Sequence, residues 1–306
     1  MNAENLASFC QLVRQKGALL YRDLPWRNTR DPYAILVSEV MLQQTQVKRV
    51  IDYWDRWMLA FPSVEVLASA SLSDVLAHWQ GLGYNRRAIA LKSCAEICVK
   101  DYFCQIPVNY DELLKLPGVG PATAAGVCAF AYGMAQNYLE TNVRSVFIHH
   151  LFADAPQVSD KEIMPLIEAT CDSDDPRGWY YALLDYGSYL KSTHPNPSRR
   201  SKHHSRQSNF EGSTRQKRAL LLRELLQRGK ALAPDLHVVL VSAQTQSACA
   251  SPSDGGQNTP FERVVSAQIS LADVEDLLAT LAAEGFLAQD SEGFWSVAGG
   301  STLLTD

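Results

Sequence analysis

The chain has 306 residues, and its 46% of hydrophobic residues supply enough apolar surface for one large domain or two modest ones. A charged fraction of 20% excludes a chain that is disordered throughout, and no apolar run approaches membrane-spanning length. The seven scattered cysteines, with no secretory signal peptide, indicate a cytoplasmic protein with reduced thiols, and the net charge of −5 is on its own a weak argument against nucleic-acid binding.

Apolar residues recur at helical spacing through the first two-thirds of the chain. The segment 4–21 predicts the first helix, and Asp31-Pro32 predicts the start of the next, because Asp is a favoured N-cap and Pro fits the first turn. No strand is predicted before residue 235, so this part is expected to be all-α. The further amphipathic segments are 46–60, 72–79, 85–101, 110–116, 121–133, 142–152, 160–171 and 178–191.

The segment from Lys191 to Gln216 differs in composition, because it is rich in Ser, Asn, Pro, His and Arg. A solvated linker is one interpretation. The other rests on charge. Between residues 191 and 230 the basic residues far outnumber the acidic ones, and a local basic stretch in an acidic protein indicates contact with phosphates.

The C-terminal third has the element order of a winged helix-turn-helix. Modules of this kind bind DNA or a partner protein, and both interpretations stay open at this point. The predicted elements are a helix at 216–228, a short strand or helix at 236–242, a loose loop at 243–259, a helix at 270–284 that opens with capping-box spacing, and a β-hairpin formed by 285–288 and 293–297.

A glycine-rich turn between two predicted helices is the first candidate binding motif. It reads Leu113-Leu-Lys-Leu-Pro-Gly-Val-Gly-Pro-Ala-Thr123. Gly118 and Gly120 permit a tight turn and a close backbone approach, and the N–H groups at the start of the next helix suit a phosphate. Together with Val119 they predict a hairpin that binds the DNA backbone and contributes affinity rather than sequence reading.

Further motifs occur in a fixed order along the chain. They are Leu24-Pro25-Trp26-Arg27, Asp31-Pro32-Tyr33, Ser38-Glu39-Val40-Met41-Leu42-Gln43-Gln44-Thr45-Gln46-Val47, Gly81-Leu82-Gly83-Tyr84 and the hairpin itself. With these motifs the chain, from about residue 5 to 190, resembles the MutY adenine DNA glycosylases of the helix-hairpin-helix superfamily. The resemblance implies two helical subdomains with a cleft between them, in which the N-terminus pairs with residues after about 141.

The resemblance also assigns roles to individual residues. Glu39 matches the family's catalytic acid, which protonates a purine flipped out of the duplex, because the adenine anion is a poor leaving group. Gln43, Gln44 and Thr45 would line the DNA interface, and Tyr84 would intercalate into the base stack.

The second carboxylate of the family, an Asp that stabilises the oxocarbenium-like sugar, is replaced here. Glu140 occupies its position, retaining the charge but adding a methylene, and we expect a working enzyme with a rebuilt pocket. Related enzymes that also cut the backbone carry a Lys two residues after the second hairpin glycine. Ala122 stands there and cannot form an imine, so the enzyme is predicted to lack lyase activity.

The family's iron–sulfur cluster and its reader of the opposite base are not recognisable in this sequence. The four cluster positions fall on Lys191, Ser198, Ser201 and Gln207, none of which is a thiolate ligand, so the sequence predicts no cluster and no other cofactor. A basic loop that grips DNA is still expected from Arg199, Arg200 and Lys202. The Nudix-like C-terminal domain of the family has no match.

These observations predict a monomeric, monofunctional DNA N-glycosylase that removes adenine opposite guanine or 8-oxoguanine. A glycosylase for another mismatched base, such as thymine or uracil, is the first alternative. A catalytically retired DNA-binding protein is the second. The expected domains are a helix-hairpin-helix glycosylase domain (1–190), a basic loop (191–215) and a winged-helix-like domain (216–306).

Overall fold

The protein is described here from a computed structural model, which covers residues 3–204, 210–250 and 269–299. Helices account for most of this part of the chain, as predicted. Their bounds are α1 Ala3–Leu20, α2 Pro32–Leu42, α3 Val47–Ala60, α4 Val64–Ser69, α5 Leu72–Trp79, α6 Arg86–Asp101, α7 Tyr110–Leu114, α8 Pro121–Phe130, α9 Thr141–Leu151, α10 Asp160–Thr170, α11 Pro176–Thr193, α12 Thr214–Arg228, α13 Ala233–Ala250 and α14 Leu271–Ala283.

The chain divides into two compact units, residues 1–68 with 93–206 and residues 69–92 with 207–306. In the first unit α1 packs against α11, and α11 packs against α9. This is the pairing of the N-terminus with residues after 141 that the family resemblance implies. Phe9 of α1 and Phe147 of α9 meet edge to face, with ring centroids 5.1 Å apart, in a core that excludes water.

A buried ion pair fastens the segment after α1 to α11. Both oxygens of Asp185 accept from the guanidinium of Arg27, at 2.7 and 2.8 Å, and one of them also accepts from Nε of Arg22 at 2.6 Å. Such a bidentate geometry satisfies a buried carboxylate that would otherwise be costly. Arg27 belongs to a short 3-10 helix, Pro25–Arg27, so its role in this unit is structural.

The second unit contains the winged-helix-like module. Its strands are β1 Lys230–Ala231, β2 Leu287–Gln289 and β3 Trp295–Val297, in the antiparallel order β1-β3-β2. The predicted hairpin is therefore confirmed. The predicted capping box is present at the start of α14, where Ser270 and Asp273 bond each other's backbone N–H at 3.2 and 3.0 Å.

The fold differs from the sequence prediction in three places. The helix α4 was not predicted, because its single turn and a half is too short for a clear periodic pattern. The strand β1 precedes residue 235, contrary to the prediction, and exists because it pairs with β3. The segment 236–242 is helical, which is one of the two predicted alternatives, but α13 continues to Ala250. The loop predicted at 243–259 was therefore wrong for residues 243–250, and residues 251–259 lie outside the described part.

The basic segment after α11 is folded over its described part rather than a solvated linker. A 3-10 helix spans Pro197–Arg200, and Ser201 forms a parallel bridge with Val158. Pro197, Ser198 and Ser201 are buried. Within the described ranges, none of the helices is long and apolar enough to span a membrane.

Candidate active site

The helix α2 carries the first predicted catalytic residue into the interior. Asp31 accepts hydrogen bonds from the N–H groups of Tyr33 and Ala34, at 3.1 and 3.3 Å, which fixes the start of the helix as predicted. Nearly all the following residues of α2 are buried, but Glu39 keeps part of its surface accessible. The helix therefore holds one carboxylic acid rigidly in apolar surroundings.

The Glu39 carboxyl is enclosed by one hydrogen-bond donor and by backbone. Tyr138 donates its phenolic hydroxyl to Oε2 of Glu39 at 3.4 Å. Gly126 of α8 lies directly against the same carboxyl, so that a methyl group at this position would overlap Oε2. Burial, and secondarily the charge of Glu140, raise the pKa of Glu39 to about 8. At neutral pH the acid therefore carries a proton that it can donate.

Glu140, in contrast to Glu39, is surrounded by several hydrogen-bond donors. It is the N-cap of α9, and its carboxylate accepts from the backbone N–H groups of Asn142 and Val143, the latter at 3.0 Å, and from the Asn142 side-chain amide at 3.2 Å. Burial raises the pKa of Glu140, but these donors and the charge of Lys191 oppose the rise. Since donors and a helix N-terminus favour the anion, Glu140 is the better candidate for the charged partner.

The extra methylene of Glu140 is accommodated by this capping geometry, in which the side chain folds back onto the N-terminus of its own helix. The helix α11 approaches closely at this point. Gly187 lies against the backbone of Asn142, where a side chain would overlap it. Lys191, one turn further along α11, is half-buried, and burial lowers its pKa although Glu140 opposes that shift.

The glycine-rich hairpin and the end of α2 are joined by one side chain. Gln43 donates its amide to the Thr123 hydroxyl at 3.0 Å and to the Gly118 carbonyl at 3.4 Å. Position 118 requires glycine, because its φ of +74° is unfavourable for other residues. Gly120 is the N-cap of α8 and has an extended backbone. Both glycines are exposed, while Val119 is buried and anchors the turn.

The residues after Gln43 form the turn between α2 and α3. Gln44 is exposed and has a φ of +54°, a conformation that an L residue adopts at a cost. Thr45 donates its hydroxyl to the Gln43 carbonyl at 3.3 Å. The first unit thus brings Glu39, Glu140 and Gln43, with the hairpin beside Gln43, into one region, which is what the sequence predicted for these motifs.

Tyr84 belongs to the second unit, in the turn between α5 and α6. Its φ is +49°, and Gly83 before it also has a positive φ. The Gly83 carbonyl accepts from the Trp79 indole at 3.1 Å and from the Arg87 guanidinium at 2.9 Å. These bonds hold the turn in its unusual backbone conformation.

Comparison with known proteins decides the family. The family described as HhH-GPD superfamily base excision DNA repair proteins matches residues 37–250, more than half of the chain and both carboxylates. The chain belongs to the HhH-GPD superfamily. The match covers the second half of α2, the hairpin and α9, which carry the site just described.

Individual relatives of this HhH-GPD protein are adenine DNA glycosylases. The chain is 45% identical over 127 residues to the one from Mycobacterium tuberculosis, covering 41% of this chain and 42% of that one. It is 33% identical over 173 residues to the one from Buchnera aphidicola, covering 55% and 48%. The chain therefore spans less than half the length of these relatives.

A solved structure described as a thermostable thymine-DNA glycosylase is also similar. It aligns at a TM-score of 0.55 with 26% identity, over 60% of this chain and 87% of that chain. This HhH-GPD protein is thus similar to glycosylases named for two different bases, to adenine glycosylases in sequence and to a thymine glycosylase in structure.

In the basic loop of this HhH-GPD protein, one of the three residues predicted to contact DNA is engaged within the protein and the other two are exposed. Arg200 donates to four backbone carbonyls at the end of α9 and just beyond it, so its guanidinium has a structural role rather than being free for phosphates. Arg199 and Lys202 are exposed on the same segment. Arg206, in the same basic stretch, lies outside the described residues.

The donor set at the family's cluster positions does not fit an iron–sulfur cluster. Lys191 offers an ammonium group, and Ser198 and Ser201 offer hydroxyls that bond Asn196 and the N–H of His203. Among the described residues, no group of His, Cys, Asp or Glu could hold a metal ion. Ala122 lies in the first turn of α8 and supplies no amine.

Several site residues were not predicted from the sequence. Tyr138 and Gly126 enclose the Glu39 carboxyl, and Asn142 and Lys191 surround Glu140. Asn142 had a local signal, since it follows a capping carboxylate by two residues. Tyr138 had none, because its partner is 99 residues away in the chain.

Proposed function

We propose that this protein is a monofunctional DNA N-glycosylase that removes adenine from mismatched duplex DNA, opposite guanine or 8-oxoguanine. The observation that carries the proposal is the pair of unlike carboxyls, Glu39 with its pKa raised to about 8 and Glu140 with its three donors. The identities with adenine DNA glycosylases support adenine as the base.

The two carboxyls divide the reaction between them. Glu39 donates its proton to a ring nitrogen of the flipped base, so that the bond between C1′ and N9 breaks and its electron pair leaves with neutral adenine. The sugar then carries positive charge, which the Glu140 carboxylate stabilises. Water attacks C1′ and loses a proton to the Glu39 carboxylate, which yields an abasic site and returns Glu39 to its protonated form.

Glu39→Gln tests the proposal, because the amide keeps the shape of the acid but cannot supply its proton. We expect excision from an adenine–8-oxoguanine duplex to be lost, with duplex affinity within about threefold of the wild type. Glu168→Gln, an exposed glutamate of α10, is the matched control. Excision by the Glu39 variant at the wild-type rate would contradict the proposed role.

The proposed product is an intact strand with an abasic site, since Ala122 replaces the lysine that a lyase uses. Borohydride added during turnover should trap no covalent protein–DNA adduct above background. Robust trapping would mean that another amine attacks C1′ and that the reaction type is wrong.

Removal of thymine or uracil opposite guanine is the second candidate. It is supported by the similarity to a thymine-DNA glycosylase and by Glu140 in place of the family's Asp. Duplexes that each carry one mismatch separate the candidates, because only one base should be released at a rate set by Glu39. A retired scaffold is disfavoured, because both carboxyls are retained.

The proposal also covers the residues that contact DNA, the domain limits, the oligomeric state and the location in the cell. Duplex DNA would be contacted by three groups: the turn after α2 (Gln43, Gln44 and Thr45), the two hairpin glycines, and the exposed Arg199 and Lys202. Tyr84 would insert into the base stack. The domain limits 1–190, 191–215 and 216–306, the monomeric state and the cytoplasmic location remain predictions.

A further inference from the structure

The winged-helix-like module contacts the turn that carries Tyr84. Arg215, in the first turn of α12, donates Nη1 to the Tyr84 hydroxyl at 2.8 Å, and its guanidinium lies 5.3 Å from the ring centroid. The same guanidinium lies 5.4 Å from the ring of Phe210. One cation thus contacts both the polar and the aromatic parts of Tyr84.

A second guanidinium lies near the Tyr84 ring, on the helix that follows its turn. The buried Arg87 has its guanidinium 5.6 Å from the ring centroid and also bonds the Gly83 carbonyl at 2.9 Å. Two guanidinium groups therefore lie close to the Tyr84 ring, and the Tyr84 backbone is at positive φ. A side chain in such surroundings has little rotamer freedom left to lose when it inserts into DNA.

A second contact joins the module to the same turn. Glu284, which directly follows α14, accepts from Nε of Arg86 at 2.9 Å and from Nη1 of Arg218 at 2.9 Å. The carboxylate is largely buried, and the two arginines lower its pKa to about 2. Arg218 lies one turn after Arg215 on α12, so this helix contacts the turn at Tyr84 and, through Glu284, at Arg86.

These contacts also account for two of the four acidic residues in and directly after α14. Asp273, Glu275, Asp276 and Glu284 would repel phosphates if α14 entered a DNA groove. In the structure Glu284 instead neutralises two arginines within its own unit, and Asp273 caps the helix.

We propose that the winged-helix-like module is a positioning element for the intercalating tyrosine, and that Arg215 is the residue through which it acts. The inference rests on the proposed function, because it assigns to Tyr84 the insertion into the base stack. Arg215 fixes the phenol before DNA arrives, so that the conformational cost of insertion is met in the free protein.

Arg215→Met is the direct test, with Arg223→Met as the control, since Arg223 is exposed on the same helix and its loss removes the same charge. The readouts are the single-turnover excision rate at saturating duplex and the fluorescence of 2-aminopurine placed beside the mismatch in a Glu39→Gln background. We expect Arg215→Met to lower the rate about tenfold and to reduce the fluorescence change on binding, with Arg223→Met close to the wild type.

Tyr84→Phe, alone and combined with Arg215→Met, shows whether Arg215 acts through the Tyr84 hydroxyl. If Arg215 acts through the Tyr84 hydroxyl, the double variant should lose no more rate than Arg215→Met alone. Arg215→Lys should restore part of the rate because it retains a donor. Equal rates and equal fluorescence for Arg215→Met and Arg223→Met would overturn the inference. Absence of excision by the wild-type protein from every duplex would overturn the proposed function instead, while the fluorescence readout still tests insertion.

Discussion

Glu39 and Tyr84 lie in regions that are built in different ways. Around Glu39, in the first unit, two helices start at a residue whose side chain caps them, Asp31 for α2 and Glu140 for α9. Around Tyr84, in the second unit, the decisive contact comes from Arg215, 131 residues further along the chain. Local signals therefore identify the two carboxyls, whereas the proposed positioning of the intercalating residue depends on tertiary contacts that leave no short motif.

The largest effect in the region around Glu39 is expected when the charge of Glu140 is removed. Glu140→Gln should lower excision about 10²- to 10³-fold, because the sugar cation loses its counter-charge, while the amide can still accept bonds at the start of α9. Single-turnover excision measures the effect. Glu140→Asp, which restores the family residue, should not exceed the wild-type rate if the pocket is built around Glu; a faster Asp variant would contradict that conclusion.

A methyl group at Gly126 tests the packing of the same region. Gly126→Ala would overlap the Glu39 carboxyl, so we expect the acid to be displaced and excision to fall roughly 30-fold. Duplex affinity and Tm, measured in parallel, should change far less than the rate. A variant with the wild-type rate would show that the Glu39 carboxyl does not react from this position.

The pH dependence of excision provides a smaller but more specific test. Because the reaction needs the protonated form of Glu39, the rate should fall as the pH rises through about 8. Tyr138 donates to the carboxylate and so lowers the pKa of Glu39. Tyr138→Phe should therefore move the alkaline limb to higher pH and change the rate at neutral pH only about threefold. A limb that moves to lower pH would contradict this role.

The smallest expected effect concerns a single surface charge. Lys202→Met should weaken duplex binding alike for matched and mismatched DNA and reduce the salt slope of the affinity by about one. Arg200→Met should instead lower Tm, because Arg200 bonds four carbonyls. If Lys202→Met left the salt slope unchanged, the basic loop would not contact phosphates through this residue.

The same contrast explains how far the sequence could be interpreted. Helix starts such as Asp31-Pro32 and Ser270 were predictable, because a cap and its acceptors lie within three residues. The motif around Glu39 also identified the acid. The bonds from Tyr138 to Glu39 and from Arg200 to the α9 carbonyls were not predictable, because each depends on chain segments that come together only in the folded protein. The strand β1 was missed for the same reason, since two residues become a strand only beside β3.

Arg200 has one further consequence, for the assembly of the protein in the cell. Its guanidinium fastens the segment 197–202 to the C-terminal end of α9, whose other end bears Glu140. This fastening is available as soon as the polypeptide has been synthesised, whereas an inorganic centre must be built by dedicated machinery and inserted. If this fastening stands in for the cluster, the protein should refold from denaturant in the presence of a chelator with full recovery of excision.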